Sequence, residues 1–351
     1  MSANTKKEAV SMNLDERKFM ILKAIIDDYI LTAMPVGSRT ISRKNGVGFS
    51  PATIRNEMSD LEELGYLAQP HTSAGRVPSH KAYRLYVDQL LRNDDLSDIE
   101  KQRIEEYMSR RSGQVEDIVR AAADVLADTS GYTSVIVAPQ IQTLRINRVQ
   151  LVPVAEGTAL MIVVTSAGII KDAIIEVPAD ITSEHLYRLS EMLTEELAGH
   201  TLSEVRQIFA RMFRDLSQHR RLLGGVMKVM EDKLTEDAPE DIVIGGGTKM
   251  LNYPEYSDIE KAKNFLAMIE SKDRLASILK KSGGMEISIR IGSENDIEEL
   301  QDCSLVTATY RVGTHGSGTL GVIGPTRMNY RRVVTVMEYM GDVISRLLSG
   351  D

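Results

Sequence analysis

The stretch SPATIRNEMSDLEELG at residues 50–65 decides the reading of the N-terminal third. Ser50 is a residue type that caps a helix, and Pro51 follows at the first helical position, where a missing N–H costs nothing. Ile54, Met58, Leu61 and Leu64 recur at helical spacing along one stripe. Ala52, Asn56 and Ser59 fall on the opposite side, with Thr53 and Arg55 flanking it, and Gly65 ends the helix. Upstream, Leu22, Ile25, Ile26, Tyr29 and Ile30 predict a helix that Pro35 and Gly37 close. Ser38 can cap a short second helix containing Ile41, which Asn45-Gly46 ends. Downstream, residues 66–77 read as two short extended runs around Thr72-Ser73-Ala74-Gly75, with Pro70 and Pro78 tolerable at edges or ends. Three helices followed by two short strands predict a winged helix-turn-helix.

Charge sharpens that expectation. The chain carries 42 Lys/Arg against 50 Asp/Glu, a net charge of −8, but unevenly. Residues 1–92 hold 13 basic and 10 acidic residues, and the remainder 29 and 40. Residues 29–56 and 64–87 contain no acid, while Arg39, Arg43, Lys44, Arg55, Arg76, Lys81 and Arg84 fall inside those windows. Such a distribution suits phosphates. A recognition helix presents base-reading side chains near its N-terminus, where Arg grips guanine and Asn grips adenine, and Arg55 and Asn56 occupy that place. The expected DNA contacts are Ser38, Arg39, Arg43, Ser50, Thr53, Arg55, Asn56, His71, Thr72, Ser73, Arg76 and Lys81, with Lys81 on phosphate. Arg76, placed at the wing tip, reads either as a phosphate or minor-groove contact or as a solvated turn residue.

Beyond this, a helix from Ser79 carries Tyr83, Tyr86, Val87, Leu90 and Leu91 into the polar stretch 92–97, taken as a boundary. Helical patterns run to about residue 128. Strand patterns follow at 134–138, 146–154, 158–165 and 169–177, helices from 182 to about 237, and strands again at 285–291, 305–312 and 319–323 before a final striped helix of Val333, Met337, Met340, Ile344 and Leu347. The class is α+β and multi-domain: residues 1–92, a split unit of 98–204 and 283–351 built on antiparallel strands, and a mostly helical insert of 205–282. Leu202, Val205, Phe209, Met212, Leu216, Leu223, Val226 and Met230 follow three- and four-residue steps, and Ile259, Ala262, Leu266 and Ile269 repeat them. Phe209, Met212, Leu216, Leu223, Val226, Leu266 and Ile269 are therefore the candidate dimer contacts. The alternative is that the two stripes pack on each other inside one subunit, with Gly224-Gly225 breaking the first helix.

Other classes find little support. No run of 18 apolar residues exists and the first 13 residues are polar, so a cytoplasmic protein without a membrane span is expected. The single cysteine, Cys303, is read as a buried free thiol. Gly245-Gly246-Gly247-Thr248-Lys249 lacks the Gly-Lys-Ser/Thr order of a phosphate loop, and Pro254 breaks the continuation. With no His pair at metal-ligand spacing and no nucleophile elbow, no metal and no enzymatic activity are expected.

Several long motifs resemble the HrcA family, the heat-inducible transcription repressors: PVGSRTIS at 35–42, SPATIRNEMSDLEELGYL at 50–67, QPHTSAGRVPSHKAYRLYVD at 69–88 and GTLGVIGPTRMNYRRVV at 318–334, with residues 242–256 similar to the family's central insert. One departure is Ser79, His80 and Ala82, where the family pattern has Thr, an acidic residue and Gly. The resemblance implies a winged helix followed by a GAF-like domain carrying an inserted dimerisation domain. It also implies a homodimer on an inverted-repeat operator upstream of chaperone operons, with repression maintained by the GroEL chaperonin and lost on heating. No small-molecule cofactor is implied. The rival reading is a metabolite-sensing regulator whose GAF-like domain binds a ligand.

Overall fold

A computed structural model describes residues 14–44, 46–71, 74–90, 95–109, 115–139, 145–166, 170–178, 181–201, 204–205, 207–209, 226, 242–280, 287–312 and 316–349. The fold is α+β with antiparallel sheets.

Helix α1 (Glu16–Thr32) is capped by Asp15, whose carboxylate accepts the Lys18 N–H at 2.7 Å, and buries Ile21, Leu22, Ile25 and Ile26. The short α2 (Ser38–Ser42) follows. Its cap is Gly37 rather than Ser38, which is the first helical residue and is buried. Helix α3 (Pro51–Glu63) buries Ile54, Met58 and Leu61, whereas Leu64 is the C-cap and is half turned to solvent. Gly65, at φ +77°, closes α3: its N–H donates to Glu62 and that of Tyr66 to Leu61, which satisfies two orphan carbonyls. Strands β1 (Leu67–Ala68) and β2 (Val77–Pro78) then pair antiparallel, with Pro78 at a strand end as the sequence requires. Helix α4 (His80–Leu90) packs Tyr83, Leu85 and Val87 inward.

The rest of the chain builds two sheets. Helices α5 (Asp98–Ser109) and α6 (Val115–Ser130) lead into β3 (Thr133–Val137). A meander of β4 (Ile146–Ala155), β5 (Thr158–Thr165) and β6 (Ile170–Glu176) follows, with α7 (Ser183–Leu197) laid on it. Alternate residues Ala159, Met161 and Val163 point to α7, where Leu186, Leu189, Leu193 and Leu197 meet them. Edge strand β4 is shielded by hydroxyls of α7: Leu151 N–H donates to Ser190 Oγ at 2.9 Å and Thr194 Oγ1 donates to the Val149 carbonyl at 2.9 Å.

The second sheet has the order β7-β3-β10-β9-β8, from β7 (Ile242–Gly245), β8 (Ile287–Ile291), β9 (Cys303–Val312) and β10 (Gly316–Pro325). Helices α6 and α10 (Tyr330–Ser349) contribute to the core of one face. The other face is covered by α8 (Ile259–Glu270) and α9 (Lys272–Lys280). The first of these cores continues without a break into α1, α3 and α4.

These packings cut across the division at 204/205 and 282/283. Val205, Ile208, Phe209 and Val226 lie in the core of the three-stranded meander, whereas Ile242–Gly245 is hydrogen-bonded into the five-stranded sheet beside β3. Phe209 and Val226 are fully buried, and Ile269 and Leu266 pack under the five-stranded sheet with Val135 and Ile323. At these described positions neither stripe is a free helix seam, and the residues named lie in two different cores. Met212, Leu216 and Leu223 lie outside the described residues.

The α5–α10 contact gives a pH-dependent test. The Glu100 carboxylate accepts from Ser97 Oγ (2.7 Å), from the Arg332 guanidinium (2.6 Å) and from the Ser97 N–H, which pull its pKa down to about 2. A depressed carboxylate contributes stability that is present above its ordinary pKa, near 4.5, and lost as pH falls through about 2. Glu100→Gln is expected to melt below the wild type at pH 7, with the gap closing steadily between pH 4.5 and 2 in a calorimetric series.

Candidate nucleic-acid interface

The start of α3 is held by its own cap. Ser50 Oγ accepts the Thr53 N–H at 3.1 Å and lies 2.9 Å from Thr53 Oγ1, so these two hydroxyls fix the helix entry. Arg55 and Asn56 are both exposed on the next turn, and neither makes a hydrogen bond or ion pair with any described residue. Arg39 on α2 and Arg43 at its end are likewise exposed. The amide dipoles at the N-terminus of α3 add partial positive charge to the same surface.

The acids of α3 would oppose a polyanion, and the fold neutralises three of them. Lys18 reaches from α1 to Glu57 at 2.8 Å and Asp60 at 2.9 Å, while Arg17 lies 3.4 Å from Glu57. Hydrogen bonding to Glu57, then to Asp60, holds the Lys18 ammonium above its ordinary pKa range. Glu62 is paired with Arg76 at 2.7 Å. Sequence reasoning missed Lys18, since nothing local ties residue 18 to residue 57. The one signal is that Glu57 adjoins Met58 on the inward stripe and therefore needs a cation from another element.

Arg76 departs from expectation. Its guanidinium is committed to Glu62, and its backbone is bridged to Val36 by two 2.9 Å hydrogen bonds. It lies on the turn side of the β1–β2 pair and fastens that hairpin to the end of α3. His71 is exposed, with its carbonyl accepting the Ala74 N–H, while Thr72 and Ser73 lie outside the described residues. Ser38 is buried and so leaves the exposed surface.

Lys81 departs as well. Its ammonium donates to the Leu64 carbonyl at 2.8 Å and rests 4.4 Å from the centre of the Tyr66 ring, at the C-terminal end of α3. A cation there complements the negative end of the helix dipole. Lys81→Ala should therefore cost about 1 kcal/mol of stability or less in urea melts and leave the salt slope of DNA binding unchanged. A slope lower by about one unit would restore the phosphate contact.

Away from this surface, Lys249 of the glycine-rich stretch pairs with Asp128 at 3.0 Å, and Cys303 is buried with its Sγ 2.8 Å from the Tyr256 hydroxyl. Burial pushes that thiol up to about 11, away from nucleophilic use. Among the described residues no group of three His, Cys, Asp or Glu is placed to hold a metal ion, and no helix is long and apolar enough to cross a membrane.

Comparison with known proteins agrees with the motifs. Residues 116–334 match the family model of the HrcA protein C-terminal domain. The heat-inducible transcription repressor HrcA of Ruminiclostridium cellulolyticum is 45% identical over 340 residues, covering 95% of this chain and 97% of that protein. The repressor of the same name from Desulforamulus reducens is 43% identical over 339 residues, covering 96% and 98%. Among solved structures, a hypothetical protein determined at 2.2 Å resolution superposes with a TM-score of 0.68 at 26% identity, covering 96% of this chain and 99% of that one. These relatives are transcription repressors, not enzymes. The chain belongs to the HrcA family of heat-inducible transcription repressors.

Proposed function

We propose that this repressor reads an inverted-repeat operator upstream of chaperone operons as a homodimer in the cytoplasm, each copy inserting α3 into one major groove. Residues 14–90 act as a winged helix-turn-helix, and the five-stranded sheet with its helices as a GAF-like domain. The observation that carries the reading is the free, exposed Arg55–Asn56 pair on a helix start whose nearby acids Glu57, Asp60 and Glu62 are neutralised from within the fold. Arg39 and Arg43 flank it as phosphate contacts.

Dimerisation follows from the operator: one such unit reads a half-site, and coupling two raises affinity by effective concentration. The outward face of the β4–β6 meander supports a place for it. Ile170 and Ile174 are 55% and 65% exposed, with half-buried Val164 and Leu160 beside them in register. In keeping with the family resemblance, the GroEL chaperonin maintains the competent state. A repressor poised near balance suits such control, because about 1.4 kcal/mol changes the competent ratio tenfold.

Anisotropy titrations of the full chain on the upstream inverted repeat and on a scrambled duplex test this. The operator should be preferred about 1,000-fold or more at physiological salt, and chaperonin should raise the active fraction recovered after heating. Equal affinity for both duplexes would refute the DNA reading, and an active fraction indifferent to chaperonin would refute the regulation.

A further inference from the structure

Among the described residues, directional bonds join residues 14–90 to the rest of the chain at two places. The first lies on α4. Arg84 Nε donates to Glu294 at 2.8 Å, a second nitrogen of the same guanidinium donates to that carboxylate and, at 2.6 Å, to the Ile289 carbonyl, and His80 lies 3.4 Å from Ser293 Oγ. The second lies on α1 and is made by one side chain, Arg327, in the turn between β10 and α10. Its guanidinium donates to the Ile30 carbonyl at 2.9 Å.

Between these points lies an apolar patch. Tyr83 and Tyr330 meet with ring centres 6.1 Å apart, and the buried Tyr83 hydroxyl has no hydrogen-bond partner among the described residues. To that packing the hydrogen bonds at the two anchors add a directional constraint. One anchor on α4 would leave the DNA-reading unit free to swivel about it, whereas a second on α1 removes that freedom.

The chemistry at Arg327 suits such a fixed point. The side chain is 8% exposed, forks onto Glu255 at 2.5 and 3.1 Å, and stacks over Tyr253 at 5.4 Å, itself stacked on Tyr132. Its orientation is thus set by the body before it reaches across. Ile30 is in the last turn of α1, where helix carbonyls have no partner within the helix and the dipole favours a cation. A lysine could not hold Glu255 with a fork and reach Ile30 at once.

We infer that Arg327, oriented by Glu255, is a positioning residue for DNA recognition: it fixes the angle at which α3 is presented, and thereby the half-site spacing that a dimer accepts. This rests on the proposed inverted-repeat reading. A one-base-pair change in spacing turns one half-site by about a tenth of a helical turn, which a rigid pair of heads cannot follow and a swivelling pair can.

The test titrates full-length wild type, Arg327→Lys and Glu255→Gln against the inverted repeat, against versions with one base pair added to or removed from the centre, and against a single half-site. Wild type should lose about tenfold or more on the altered spacings and each variant less than about threefold, with half-site affinity changed by no more than about twofold. Melting curves confirm that the variants are folded. Should Arg327→Lys fail to fold, Glu255→Gln, which leaves the arginine in place, decides alone. A folded variant that keeps the wild-type spacing profile overturns the assignment. Wild type that does not prefer the repeat over scrambled DNA overturns the operator reading itself, and the inference with it.

Discussion

Arg55→Ala is expected to cost about 1–3 kcal/mol of operator binding and to relax preference at one base position, and Asn56→Ala at a neighbouring one. Both side chains are exposed and without a partner among the described residues, so neither change removes a described contact from the folded state. Melting should stay within about 0.5 kcal/mol of the wild type, and the whole loss should fall on recognition. Arg39→Ala and Arg43→Ala should behave otherwise: a phosphate contact helps every duplex, so each should weaken operator and scrambled DNA alike and lower the salt slope by about one unit. Titrations of the four variants on both duplexes separate these outcomes. Unchanged affinity and discrimination in Arg55→Ala would show that α3 does not read bases.

Gly75→Ala should be the most damaging small substitution in the N-terminal third. A β-carbon there would lie 2.4 Å from the Val36 carbonyl oxygen, 2.5 Å from its carbon and 2.8 Å from the Pro35 carbonyl carbon, all backbone atoms that cannot swing aside. Relief requires parting residues 36 and 76, which breaks both 2.9 Å bonds between them and pulls Arg76 away from Glu62. The expected cost is about 3 kcal/mol, at the upper end for overpacking, with DNA binding falling as the β1–β2 hairpin detaches. Gly37→Ala is the control, since nothing lies within 4 Å of its β-carbon position. Urea denaturation of the two variants measures the contrast, and a Gly75→Ala transition matching that of Gly37→Ala would contradict it.

What was legible in the sequence was what short-range chemistry determines. The cap at Ser50, Pro51 at the helix start, the stripe of Ile54, Met58 and Leu61 and the left-handed Gly65 each act within one turn of α3, and each is present where the sequence puts it. Arg76 and Lys81 read as DNA contacts in the sequence because their charge is visible there and their partners are not. Glu62 lies fourteen residues from Arg76, and the Leu64 carbonyl seventeen from Lys81. The stripe of Leu266 and Ile269 was legible as a buried face, but its period is the same whether the partner is a helix of another copy or the sheet of its own chain, and here it is the sheet. Strand β7 escaped notice because four residues beside a glycine run carry no period, and only pairing with β3 gives them a role.

Two copies of α3 entering two major grooves of an inverted repeat would leave a paired footprint. Hydroxyl-radical footprinting of the full chain on the DNA upstream of a chaperone operon tests it most directly. Two protected patches are expected, related by the symmetry of the repeat and separated by about 10 base pairs or a multiple of that, both lost together in Arg55→Ala at a protein concentration that saturates the wild type. A single unphased stretch of protection, or a two-patch footprint that survives Arg55→Ala and Asn56→Ala combined, would contradict it.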